Sequence, residues 1–162
     1  MNKLLYCFFA LILLAGCAST RTPPPDEIVV VKSEREMYLL HNNVVYRTYD
    51  INLGQEPYGH KQKRGDMKTP EGEYHITWHN PNSEFYLSLH ISYPDREDRE
   101  KAEARGHDPG DLIVIHGMRG RGSRSDFLKA GDWTEGCIAM TNEEMHELFH
   151  LVEIGTPITI YP

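Results

Sequence analysis

From residue 28 to residue 93, turn residues cut the chain into short runs of strand formers, which commits it to a mainly β fold. Residues 28–32 and 36–41 are two such runs, and Asn42-Asn43 offers a hairpin turn before a third at 44–53. Gly65-Asp66 and Thr69-Pro70-Glu71-Gly72 then punctuate the chain as turns. Residues 73–78 and 85–93 alternate as strands.

Helical signals are confined to the second half. Residues 94–105 are almost all charged, with Pro94 suited to a first turn and no apolar stripe, so a surface helix is predicted there. The apolar run 111–115 reads as a strand buried on both faces, delivering His116-Gly117 at its end. Thr141-Asn142-Glu143-Glu144 matches a capping box. The helix predicted over 142–153 aligns Met145, Leu148, Phe149 and Val152 on one face, with Gly155 as its C-terminal cap and a last strand at 157–161.

The chain has 162 residues, enough for one domain. Its start is of a different kind. Lys3 is followed by an apolar run over 4–14, about 11 residues and too short to span a bilayer as a helix. Leu14-Ala15-Gly16-Cys17 resembles a bacterial lipobox. That resemblance implies a signal peptide at 1–16, lipid on Cys17, a Pro-rich tether at 17–27 containing Pro23-Pro24-Pro25, and a domain at 28–162. The expected location is an exported, periplasmic lipoprotein, at the outer membrane in a Gram-negative cell because Ala18 follows the cysteine. An ordinary signal peptide is the other reading. Loss of 1–16 removes Lys3 and no acid, taking the formal charge from -7 to -8, which argues against nucleic acid as a partner.

On that resemblance Cys7 would leave with the signal and Cys17 would carry lipid, so Cys137 would have no intramolecular partner. An unpaired thiol in an oxidising compartment reads as reactive. It needs a proton acceptor. Of nine histidines, His41, His60, His75, His79, His107, His146 and His150 read as solvated, and His90 reads as a core or site-wall residue. His116 differs because a buried strand presents it at a loop junction.

His116-Gly117, a loop, then Thr134-Glu135-Gly136-Cys137-Ile138 resembles the signature of YkuD-type L,D-transpeptidases, with supporting matches at 65–74 and 152–158. The resemblance implies a YkuD-type β-sandwich with Cys137 as nucleophile, His116 as base and the Gly117 carbonyl orienting that histidine. It also implies an oxyanion hole from the N–H groups of Gly136 and Cys137. Two positions depart from the pattern: Glu135 replaces the box histidine and Ala139 a frequent arginine, as in a lipoprotein-like subgroup whose box reads Trp-Thr-x-Gly-Cys-Ile-Ala. Glu135 should raise the thiol pKa by like-charge repulsion. Arg119, Arg121 and Arg124 are candidate carboxylate binders, a flexible solvated loop being the other reading, and Glu135 and His90 complete the expected substrate contacts.

The expected reaction is acyl transfer on peptidoglycan stem peptides through a thioester at Cys137, with release of D-alanine. An amine of a second stem peptide or an envelope protein would resolve the thioester as a cross-link. Water would make the enzyme an L,D-carboxypeptidase or a hydrolase of existing links. No cofactor is expected, and no metal, since Cys137, His116 and His90 lack ligand spacing. A sortase would need an arginine after Cys137, and an NlpC/P60 peptidase would have its histidine after the cysteine. An inactive lipoprotein binding wall material or a partner is the remaining reading.

Overall fold

The computed structural model describes residues 22–120 and 122–162; the leader, Cys17 and Arg121 lie outside the described residues. The elements are β1 (Glu27–Val31), β2 (Glu36–His41), β3 (Val44–Asp50), β4 (Gly72–Ser83), β5 (Tyr86–Ile91), α1 (Arg96–Ala104), β6 (Val114–His116), α2 (Arg124–Ala130), β7 (Ile138–Ala139), α3 (Asn142–Leu151) and β8 (Pro157–Tyr161).

The strands form one sheet in the order β3-β2-β1-β8-β4-β5-β6-β7. β4 joins its halves, pairing with β8 at Gly72 to His75 and with β5 from Ile76 onward. Asn42 and Asn43 take φ of 52° and 60°, the left-handed pair that a two-residue hairpin turn requires. The two edges of the sheet meet. Asn52, just past β3, exchanges main-chain bonds of 2.9 and 2.8 Å with Ala139 in β7, and Thr134 N–H donates to Leu53 O at 3.1 Å.

Alternation decides which residues enter the core. Ile28, Val30, Met37 and Leu39 are buried from β1 and β2. In the second half, Leu89, Ile91, Ile113, Ile115 and Ile138 face the core with Met145 and Leu148 of α3. Ser88, His90, Val114 and His116 take the alternate positions and so lie on the opposite face.

Several local expectations are corrected. Leu112 takes φ of 55° and is 66% exposed, so the buried strand is shorter than expected and the ladder begins only at Val114. Pro94 precedes the N-cap, Asp95, instead of entering the first turn of α1. The α1 helix docks through a carboxylate: buried Asp98 accepts from Tyr74 OH at 3.1 Å and faces His60 Nε2 at 3.1 Å. A helix, α2, occupies part of the expected loop, started by a Ser123–Asp126 capping box and anchored by fully buried Phe127. The α3 helix begins at its expected capping box but is closed by extended Val152, while Gly155, at φ 95°, turns the chain toward β8. The end of the expected tether rests on the first hairpin: Pro25 is buried, and Tyr46 OH donates to Pro23 O at 2.9 Å.

Candidate active site

His116 closes β6 and is 2% exposed. Its Nδ1 lies 2.6 Å from the Gly117 carbonyl oxygen. A carbonyl only accepts, so Nδ1 carries the hydrogen and Nε2 keeps its lone pair. The Phe85 ring sits 4.6 Å from the imidazole and Trp133 lies edge-on at 5.6 Å. Burial holds the His116 pKa below the ordinary histidine value, opposed in part by the Gly117 bond. The indole N–H of Trp133 is buried without an acceptor among the described residues.

Gly117 has a packing reason. A Cβ there would stand 2.4 Å from Asn142 Oδ1 and 3.0 Å from Phe85 O. That Asn142 oxygen accepts from Met118 N–H at 2.6 Å, and its amide donates to Gly120 O at 2.7 Å. The first residue of α3 thus fixes the chain leaving the histidine. Sequence reasoning had used Asn142 only as part of a helix start.

Cys137 is brought up by the neighbouring strand. The parallel register pairs Ile115 with Ile138 and His116 with Ala139, so Cys137 falls beside Val114 on the face that carries His116. Buried Thr134 shapes the loop before it, its Oγ1 accepting from Gly136 N–H at 3.1 Å and donating to Cys137 O at 2.7 Å. Gly136 takes φ of 125°, and a Cβ on it would meet Lys68 O at 2.4 Å.

The thiol lies 3.6 Å from Leu112 O and makes no hydrogen bond to His116 among the described residues. Burial pushes the Cys137 thiol above its ordinary pKa; Val114 N–H and Lys61 pull it down, and Glu135 adds the smallest, upward contribution. The downward shift at His116 and the upward shift at Cys137 both favour the neutral forms, thiol and imidazole. Of the two expected oxyanion donors, Gly136 N–H is engaged by Thr134 Oγ1, whereas Cys137 N–H has no acceptor among the described residues.

A cavity of 250 Å³ opens at the thiol, with Lys61, Arg64, Leu112, Glu135 and Cys137 in its wall. A larger one of 720 Å³ lies around His60, Tyr74 and Asp98 and does not include Cys137. Lys61 is 4% exposed and donates to Asp66 at 2.8 Å and to Lys63 O at 3.3 Å. Arg64 is tied to Asp108 and Asp111. Neither cation was anticipated, because both come from a polar run far from the His116–Cys137 interval. Glu135 is exposed at the rim.

The other expected substrate contacts are dispersed. Arg119 pairs with Glu84 at 2.7 Å and lies 5.1 Å above the Phe85 ring that stacks on His116. Arg124 is committed to Asp50 and Glu144. His90 stacks on Trp78 at 4.6 Å, on the same sheet face as His116. Arg121 is outside the described residues.

This arrangement of strands, glycines and thiol is accompanied by a family match: residues 25–160 fit the YkuD model, the L,D-transpeptidase catalytic domain. The chain belongs to the YkuD family. It is 30% identical to "Putative L,D-transpeptidase YafK" of Escherichia coli K12 over 178 aligned positions, covering 92% of this chain and 63% of that protein. It is 29% identical to "Putative L,D-transpeptidase YqjB" of Bacillus subtilis over 143 positions, covering 85% of this chain and 72% of the relative. The chain thus spans less than two thirds of YafK. Among solved structures it resembles a K307A form of Pgp2, the helical cell shape determining protein of Campylobacter jejuni. The TM-score is 0.62 at 24% identity, covering 86% of this chain and 47% of that one. L,D-transpeptidase 1 of Mycobacterium tuberculosis matches with TM-score 0.52 at 15% identity, covering 84% of this chain and 60% of that one. At such identities these two likenesses establish the YkuD fold alone.

Proposed function

We propose that this YkuD domain is a peptidoglycan L,D-transpeptidase working by cysteine acyl transfer. The observation that carries the reading is the 2.6 Å bond from His116 Nδ1 to Gly117 O, which leaves Nε2 as a base on the face where the next strand presents Cys137. In this scheme the thiol rotates to Nε2 and passes its proton there as sulfur attacks the carbonyl between the third stem residue and the terminal D-alanine. The oxyanion is received by Cys137 N–H. The carbon–nitrogen bond then breaks, His116 returns the proton to the leaving D-alanine amine, and a thioester remains. An acceptor amine on a second stem peptide or an envelope protein attacks the thioester and gives up its proton to His116; the carbon–sulfur bond breaks as the new amide closes, and His116 returns the proton to the Cys137 sulfur.

The family assignment supports stem peptides as substrate. Product analysis tests the reading. Incubation of the full chain with disaccharide-tetrapeptide, followed by mass spectrometry, is expected to show free D-alanine and cross-linked dimer. Tripeptide without dimer would transfer the reading to an L,D-carboxypeptidase. No change in the substrate would support the non-catalytic binder.

The leader and Cys17 add a proposed location, a lipid anchor in the cell envelope, at the outer membrane of a Gram-negative cell. Fatty-acid labelling that persists in Cys17→Ser would contradict it.

A further inference from the structure

A line of residues crosses four strands on the outer face of the sheet, starting at the nucleophile. Cys137 lies beside Val114, Val114 pairs with His90, and His90 pairs with Trp78. The alternating residues Ile138, Ile115 and Leu89 are 0% exposed and belong to the core. Every member of the outer line reaches solvent instead: Cys137, Val114 and His90 are half-buried, and Trp78 is 51% exposed.

Trp78 is held as well as exposed. Its ring lies 4.6 Å from that of His90, so the imidazole supports one side of an indole whose other half is in water. The core gains little from an aromatic so placed, and its exposed half presents a flat apolar face to solvent. The line is also continuous with the proposed active site, since its first member is Cys137 itself.

We propose that Trp78, backed by His90, is a subsite for an amino-sugar ring of the glycan that carries the stem peptide. The proposal rests on the transpeptidase reading above. A pyranose presents a flat face of C–H groups that stacks on an indole without any charged partner. Length fits as well. Three interstrand steps of about 4.8 Å separate Cys137 from Trp78, roughly 14 Å in all. A donor whose third residue is at the thiol has its sugar three residues upstream, about 10 Å of extended chain plus the linking group. A stem laid across the strands from Cys137 therefore brings its sugar to Trp78.

The test compares disaccharide-tetrapeptide with free tetrapeptide as donors for the full chain, Trp78→Ala and Trp78→Tyr, reading KM and kcat for D-alanine release. The wild-type chain is expected to show a KM about tenfold lower for the glycan-bearing donor. Alanine should reduce that advantage to less than about twofold, while tyrosine, which keeps an aromatic face, should retain most of it. An advantage that survives Trp78→Ala, or an equal loss for both donors, overturns the subsite; equal loss would mark an acceptor-peptide or folding role. If the wild-type chain releases D-alanine from neither donor, the transpeptidase reading has failed, and the subsite is decided by binding. Trp78 and Trp133 are the two tryptophans of the chain. Titrating Cys137→Ala with the disaccharide alone should change fluorescence in a Trp133→Phe background and not in a Trp78→Ala background. Absence of change in both overturns the proposal.

Discussion

Gly136 and Lys68 are packed main chain against main chain: a Cβ on Gly136 would lie 2.4 Å from the Lys68 carbonyl oxygen. The residue before Cys137 is thereby set by a segment distant in sequence. The same segment supplies Lys61, in the wall of the cavity at the thiol, and its ion-pair partner Asp66.

Gly136→Ala is expected to destabilise the fold by roughly 1–3 kcal/mol, because the φ of 125° is strained for any side chain and the Lys68 carbonyl cannot yield cheaply. It should also displace Cys137 and lower D-alanine release by about 100-fold. Denaturant midpoints with parallel rate measurements check both. A variant of wild-type stability and rate would show that the contact does not position the thiol.

The opposed shifts at His116 and Cys137 determine a pH profile. A thiol held above its ordinary value is protonated at neutrality, so alkylation of Cys137 by iodoacetamide should climb with pH and still be rising at 9.0, the ordinary thiol value. In the proposed mechanism turnover requires His116 unprotonated. Its acid limb should therefore fall below 6.5, the ordinary histidine value, because burial depresses that pKa. An alkylation plateau already reached at neutral pH would indicate a resting thiolate–imidazolium pair.

Lys61 and Asp66 form a nearly buried ion pair, with side chains 4% and 9% exposed. Lys61→Met leaves the carboxylate without its cation and is expected to cost about 3–5 kcal/mol. Adding Asp66→Asn should recover part of that loss. It should not restore the charge that lowers the thiol pKa, so alkylation at fixed pH stays slower than in the wild-type chain. Urea melts and alkylation rates of the single and double variants test the two effects separately.

The sequence displayed those features whose signal is local. Runs of strand formers announced β1 and β2, Asn42-Asn43 announced the hairpin of β2 and β3, a capping box announced the start of α3, and the His116-Gly117 and Gly136-Cys137 boxes marked the candidate site. Features created by tertiary packing were silent. The α2 helix is seven residues long with one buried anchor, Phe127, too little for a periodic pattern. Leu112 looked like strand interior, yet its positive φ places it in solvent beside the thiol. Lys61 reads as part of a solvated polar run, and only the fold buries it next to Cys137. Arg124 was a reasonable carboxylate binder by its place in the loop, but α2 commits it to Asp50 and Glu144.

The central claim is that Cys137 forms a thioester with the stem peptide. Its most direct measurement is the intact mass of the full chain quenched in acid during turnover of disaccharide-tetrapeptide. The expected result is an adduct equal to the donor minus D-alanine, mapped to Cys137 and absent, along with D-alanine release, from Cys137→Ala. D-alanine release that persists in Cys137→Ala would contradict the account.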